Sequence, residues 1–210
     1  MSENLKNKKK PAIIFISILC AVVVIITIVY VVLYFVSKNN MPKTAGDVFL
    51  YEPDYNAQIM TEEQYLIKDR RISYCDGFGT WYIYDENGNY STSDDVQLFL
   101  IEYVNDLVAG DATALKAKYS SELVTKLKLP DRMTQQRIYE TKLTELSKKE
   151  INQNGEIYFE YEYKIEYKIM RNDGTFRVDL ASDSVKGQYF TIEQREENIT
   201  ITKVVEYAVS

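Results

Sequence analysis

The chain has 210 residues, 25 basic and 31 acidic side chains, a net charge of −6 and no histidine. Without imidazole, Ser-His-Asp and Cys-His catalysis and imidazole-bound zinc are excluded, and two cysteines are too few for a thiolate metal site. From residue 37 onward the net charge is −9, which repels phosphate backbones, so no nucleic acid partner is expected.

The chain begins with a basic tail, residues 1–11, carrying Lys6, Lys8, Lys9 and Lys10 against Glu3. Residues 12–36 then run without a charge, a Gly or a Pro, and eighteen of these 25 are Ile, Leu, Val or Phe. As a helix the run would reach roughly 37 Å, against a hydrocarbon core of about 30 Å. Its eighteen large apolar side chains favour insertion by roughly 5–11 kcal/mol. β-Branching would favour strand in water, but in lipid the backbone must satisfy itself, so a transmembrane helix is predicted and the bilayer is its partner. A secretory signal would carry a shorter apolar core, of about 7–15 residues, and a small-residue cleavage site. Ser37-Lys38-Asn39-Asn40 does not resemble one, and Leu19 stands where a lipid-modified Cys20 would want a small residue. The denser lysines before the span place the N-terminus in the cytoplasm and the C-terminal part outside, a single-pass arrangement in the cell membrane.

Residues 37–92 read as a membrane-proximal linker with an aromatic-rich hairpin extension. A polar tether with Pro42 and Gly46 leads into a stretch that includes Phe49, Tyr51, Tyr55, Phe78 and Trp81, too many rings for a solvated linker. Packing onto the main domain is favoured over a free docking surface. Trp81 to Tyr84 followed by Asn87-Gly88 predicts a hairpin, since Asn-Gly accepts the positive φ of a tight turn. Asp85 to Asn89 superficially suggests a calcium loop. Tyr90 and Val96 stand where that loop needs Gly and Glu, so the turn is preferred and no metal site or cofactor is assigned. Cys75 is the only thiol beyond the span; burial is favoured over a cross-link between chains.

Residues 93–210 form the main outer domain. In Ser91-Thr92-Ser93-Asp94-Asp95 a Ser or Thr is expected as N-cap with the two aspartates favoured by the helix dipole, and Val96, Phe99, Leu100, Tyr103, Val104, Leu107 and Val108 recur at helical spacing until Gly110. Asp111 caps a second helix, through Leu115, Tyr119, Leu123 and Leu127 to Pro130. Residues 143–151 fit helix or strand. From Ile157 to Ile169 the residues Ile157, Phe159, Tyr161, Tyr163, Ile165, Tyr167 and Ile169 alternate with Tyr158 and five charged residues, which predicts a long strand that must bend or bulge. Asn172-Asp173-Gly174 turns it into a second strand through Phe176, Val178 and Leu180. Phe190 and Ile192 mark a third, and Ile199, Ile201, Val205 and Tyr207 a fourth. Helices followed by a meander predict an α+β domain.

Phe99-Leu100-Ile101-Glu102-Tyr103-Val104, Gly110-Asp111 and Ala114-Leu115, followed by long strands, resemble the NTF2-like (cystatin-like cone) superfamily over about Ser93 to Tyr207. The resemblance implies helices packed on a curved antiparallel sheet, with residues 143–151 as strand. Superfamily enzymes usually carry an Asp, His or Tyr inside the cone. Here Tyr103, Tyr161, Tyr163 and Tyr167 are the matching ligand-binding candidates, with core filling as the plainer reading of each. No inward carboxylate is assignable beside them, so no catalytic residue is named. Glu160, Glu162, Lys164, Glu166, Lys168, Arg177, Asp179 and Glu193 are expected on the outer sheet face, where a sheet-face homodimer would have to desolvate them and is disfavoured. The leading expectation is a membrane-anchored extracytoplasmic interaction module contacting other membrane or envelope proteins. Its layout is that of an inner-membrane subunit of type IV secretion and conjugation machines. A small-ligand binding or sensing domain, and then an isomerase-type enzyme, are the alternatives.

Overall fold

The structure, a computed structural model, describes Thr27 and residues 48–127, 129–153 and 155–206. The predicted span at 12–36, Thr27 apart, the basic tail and Tyr207 lie outside the described residues. No helix among the described residues is long and apolar enough to cross a membrane. The fold below is that of the unit containing residues 44–209.

A 3-10 turn at Ile59–Thr61 leads into a one-turn helix, α1 (Glu63–Leu66), and a hairpin, β1 (Ile72–Cys75) and β2 (Thr80–Tyr84). Three helices follow, α2 (Asp95–Ala109), α3 (Ala112–Ala117) and α4 (Ser121–Leu127). Four strands complete the unit: β3 (Ile138–Gln153), β4 (Glu156–Ile169), β5 (Gln188–Arg195) and β6 (Asn198–Glu206). The domain is α+β, with one six-stranded sheet in the order β2-β1-β3-β4-β5-β6.

The sheet is mixed, not purely antiparallel as expected: β1 runs parallel to β3, and every other pairing is antiparallel. The difference comes from residues 72–84, which read as an extension in the sequence and supply two strands of the same sheet. Three helices intervene between β2 and β3, so the chain can cross over and lay β3 parallel beside β1. The tight turn inside this hairpin is at Asp76–Gly79, where Asp76 N donates to Gly79 O. Asn87-Gly88 lies in a second turn, closed by Asp85 N donating to Asn89 O, with an antiparallel bridge between Tyr84 and Tyr90.

Local chemistry sets the helix ends. Asp94, not Ser or Thr, is the N-cap of α2, its Oδ1 accepting from Gln97 N at 2.9 Å. Thr92 acts one step earlier and accepts from Asp94 N. Asp111 caps α3 by accepting from Thr113 N and Ala114 N. The predicted second helix divides at Tyr119, because Ser120 N donates to Ile201 O and Ile201 N to Lys118 O, pairing residues 118–120 with β6. The buried face of α2, including Leu100, Ile101, Tyr103, Val104 and Leu107, packs into one core with Leu143, Ile165, Phe190, Ile192 and Ile201 from the sheet. Burying each such side chain contributes about 1.5–3 kcal/mol.

Residues 143–151 are strand, inside the sixteen-residue β3. The long hairpin accommodates its length by irregularities in β3 register, between Tyr139 and Lys142 and between Glu145 and Ser147. The expected strand through Phe176, Val178 and Leu180 does not form. Asn172, fully buried, organises a loop there instead, its Nδ2 donating to Arg177 O at 2.7 Å and to Leu180 O at 2.6 Å. Arg177 and Asp179 therefore leave the outer face of the sheet, and Arg177 is buried at 3 % exposure. Among the remaining outer charges, Lys164 pairs with Glu166 at 2.7 Å and Glu193 with Arg195 at 2.9 Å. The segment from Val48 joins the sheet at the Asn172 end, through Tyr51 N donating to Asn172 O. The β3–β4 turn lies at the other end of β4.

Candidate functional site

Tyr103, Tyr161, Tyr163 and Tyr167 are all buried, and they separate into two groups. Tyr163 and Tyr167 stand four residues apart on β4, roughly 13 Å along the strand. Each of the four hydroxyls is engaged by another side chain, as a buried phenol requires.

The first group sits where β1, β3 and β4 run together. Glu145 Oε2 accepts from Tyr163 OH at 2.8 Å and from Tyr74 OH at 2.7 Å. Tyr161 OH donates to Gln194 Oε1 at 2.9 Å, and its ring stacks near Tyr163 at 6.3 Å. Lys148 Nζ lies about 5 Å from the rings of both Phe159 and Tyr161. Burial, and after it the Glu145 carboxylate, push the Tyr163 phenol far above its ordinary value. The same two causes raise Tyr74. An inward carboxylate is thus present, contrary to the sequence expectation. Leu143 is fully buried on β3, and period-two alternation carries that face to Glu145; reading residues 143–151 firmly as strand would have found it. Two phenols occupy the carboxylate, and none of the cavities described below opens onto it.

The second group lies beneath α2 and α3. Tyr119 OH donates to Tyr103 OH at 3.1 Å, and Tyr167 OH donates to Gln188 Oε1 at 3.2 Å. Arg177 grips Asp179 through two hydrogen bonds, Nε to Oδ1 at 2.9 Å and Nη2 to Oδ2 at 2.7 Å, and Lys186 also pairs with Asp179. Burial opposes the Asp179 charge, but Arg177 and Lys186 outweigh it and hold the carboxyl well below the usual range. Burial pushes both the Tyr103 and the Tyr119 phenol upward. Beside this group opens a cavity of about 270 Å³, with apolar walls from Leu127, Leu129, Phe176 and Val204 and polar lining from Tyr119, Arg177 and Gln188. Tyr103 and Tyr167 stand one side chain behind it. Arg177 and Gln188 carry no pattern in the sequence that marks them as interior residues.

Three further cavities are described: one beside Arg70, one beside Phe49 and Arg171, and one edged by Asp95, Glu102, Glu196 and Glu197. None of the four is lined by Tyr103, Tyr161, Tyr163 or Tyr167. Among the described residues no group of three or more His, Cys, Asp or Glu is placed to hold a metal ion.

The surface offers a different feature. Phe78 is 99 % exposed, and Trp81, Tyr82 and Tyr90 are each about half exposed around the same hairpin. Phe78 is held in place by its turn: Asp76 Oδ1 accepts from Phe78 N at 2.7 Å and from Gly79 N at 3.1 Å. Trp81 packs on Tyr74 at 5.1 Å, and the Arg71 guanidinium stacks on Tyr82 at 3.9 Å. The rings are therefore presented on a braced support. No family profile matches the chain, and no curated protein or solved structure is significantly similar to it.

Proposed function

We propose that the chain is a single-pass membrane protein with its N-terminus in the cytoplasm. Its outer α+β domain, of NTF2-like type, acts as a non-enzymatic interaction module for other membrane or envelope proteins. The apolar run at residues 12–36 supports the anchoring. The observation that carries the interaction role is Phe78, exposed at 99 % on a turn that two side-chain-to-backbone hydrogen bonds hold rigid. A folding domain gains nothing from an aromatic ring left wholly in water, whereas with the turn's backbone fixed only the ring's own rotamer freedom is lost when a partner covers it. Engaged hydroxyls on the four interior tyrosines fit a structural role for them. A subunit of a conjugation-type assembly has this layout and is the specific form of the proposal. Charged residues on the outer sheet face speak against a sheet-face homodimer.

Affinity purification from cross-linked, solubilised membranes tests the reading. The native chain is expected to bring down stoichiometric membrane proteins, and Phe78→Ala to lose most of them without a change in thermal stability. A partner-free native chain, or identical recovery with Phe78→Ala, contradicts it. The cavity beside Tyr119 and Gln188 favours a second reading, a small-ligand binding domain.

A further inference from the structure

The cavity of about 270 Å³ beside Tyr119 holds a polar group that the fold leaves unused. Gln188 lines it from the start of β5 and is only 7 % exposed. Its Oε1 accepts from Tyr167 OH at 3.2 Å. Its Nε2, with two N–H donors, makes no hydrogen bond among the described residues. The unpaired side-chain atoms that are sealed off among those residues are Arg70 Nε and Asp106 Oδ2, and Gln188 Nε2 is not one of them. The amide nitrogen is therefore both unpaired and reachable from the cavity that Gln188 lines.

The network behind the amide fixes which way it faces. Arg177 donates to the Tyr167 hydroxyl, and a guanidinium has no acceptor to offer in return. The single Tyr167 proton goes to Gln188 Oε1, which turns Nε2 away from Tyr167. The charges in the lining answer each other: Arg177 holds Asp179 through two hydrogen bonds, and Lys186 pairs with the same carboxylate. No ionic ligand is called for. Leu127, Leu129, Phe176 and Val204 supply apolar walls, and a water bound at Nε2 would find few further partners among them. An acceptor oxygen carried on an apolar body satisfies both the donors and the walls. The volume is below the range of about 300–1,000 Å³ typical of sites for drug-sized ligands, so the body is about one ring.

We infer that this cavity binds a compact neutral molecule with an apolar body and one carbonyl oxygen, the oxygen accepting from Gln188 Nε2. The inference rests on the small-ligand reading of the cavity and names the chemistry of its ligand.

Cyclohexanone is the probe, added to the full chain in detergent micelles, with glutamine side-chain amides labelled with 15N and Leu and Val methyls with 13C. The Gln188 Nε2 signals, assigned by their absence in Gln188→Glu, are expected to move and saturate together with the methyls of Leu127, Leu129 and Val204. Gln188→Met keeps the length of the side chain without its donors and should bind cyclohexanone about 3- to 10-fold more weakly. Gln188→Glu still accepts from Tyr167 OH but turns an oxygen toward the ligand, and should weaken binding by at least about 10-fold. Methyls that move while the Gln188 amide stays fixed, or equal affinity in the native chain and both variants, would overturn the ligand chemistry and leave the small-ligand reading standing. Methyls and amide that all stay fixed at high cyclohexanone would overturn both and leave a cavity that holds only water.

Discussion

Gly110 ends α2 with a φ of 71°, and a Cβ built there would stand 2.8 Å from the backbone of Thr134 and Gln135. Both the left-handed conformation and the close approach require glycine. Gly110→Ala should therefore cost more than the roughly 1–2 kcal/mol of the backbone conformation alone, read as a lowered urea midpoint. The tyrosines make a second prediction at this scale. Burial pushes Tyr65 up to about 12 and raises Tyr103, Tyr119 and Tyr163 as well. In the unfolded chain these phenols ionise near about 10. Above that pH the folded state holds more protons than the unfolded one. The stability they contribute is thus complete below about pH 10 and is lost as pH rises through the folded values. Urea midpoints at about pH 8 and about pH 11 should differ, the alkaline one lower; equal midpoints would mean that the phenols ionise freely within the fold.

At the scale of elements, β3 shows what a linear pattern conveys and where it stops. Val96 to Val108 names the helix α2 because a single face is buried over four turns. Ile157 to Ile169 names β4 because alternation runs unbroken from Phe159 to Ile169, although at its start Ile157 is 56 % exposed and Tyr158 is buried, the reverse of the faces their spacing predicts. In β3 the irregularity between Glu145 and Ser147 interrupts the alternation, which leaves residues 143–151 looking equally helical in sequence. The loop at 170–187 misleads for another reason: Leu180 is buried at the strand-like spacing, yet Val178 is 54 % exposed because Asn172 dictates the path of the backbone. The parallel β1–β3 pairing is a long-range event with no local signal, and it is why residues 72–84 read as an extension. Two substitutions test the bulge. Leu143 is fully buried, so Leu143→Ala should cost about 2–5 kcal/mol. Leu146, 48 % exposed, should lose no more than about 0.5 kcal/mol as Ala, and comparable losses would place the bulge elsewhere.

For the whole molecule, we propose that the apolar run at residues 12–36 anchors in lipid an acidic domain that carries an exposed aromatic hairpin. Interior tyrosines are legible in the sequence as buried, but not the partners of their hydroxyls, since Glu145, Gln188 and Gln194 reach them only through sheet register. The partner-capture role rests on the domain lying outside the membrane. Labelling with a membrane-impermeant maleimide asks this directly, using Phe78→Cys, whose native side chain is 99 % exposed, in a Cys75→Ser background. Position 78 is predicted to react fully in intact cells. Reaction only after the cells are lysed would put the hairpin in the cytoplasm and contradict the account.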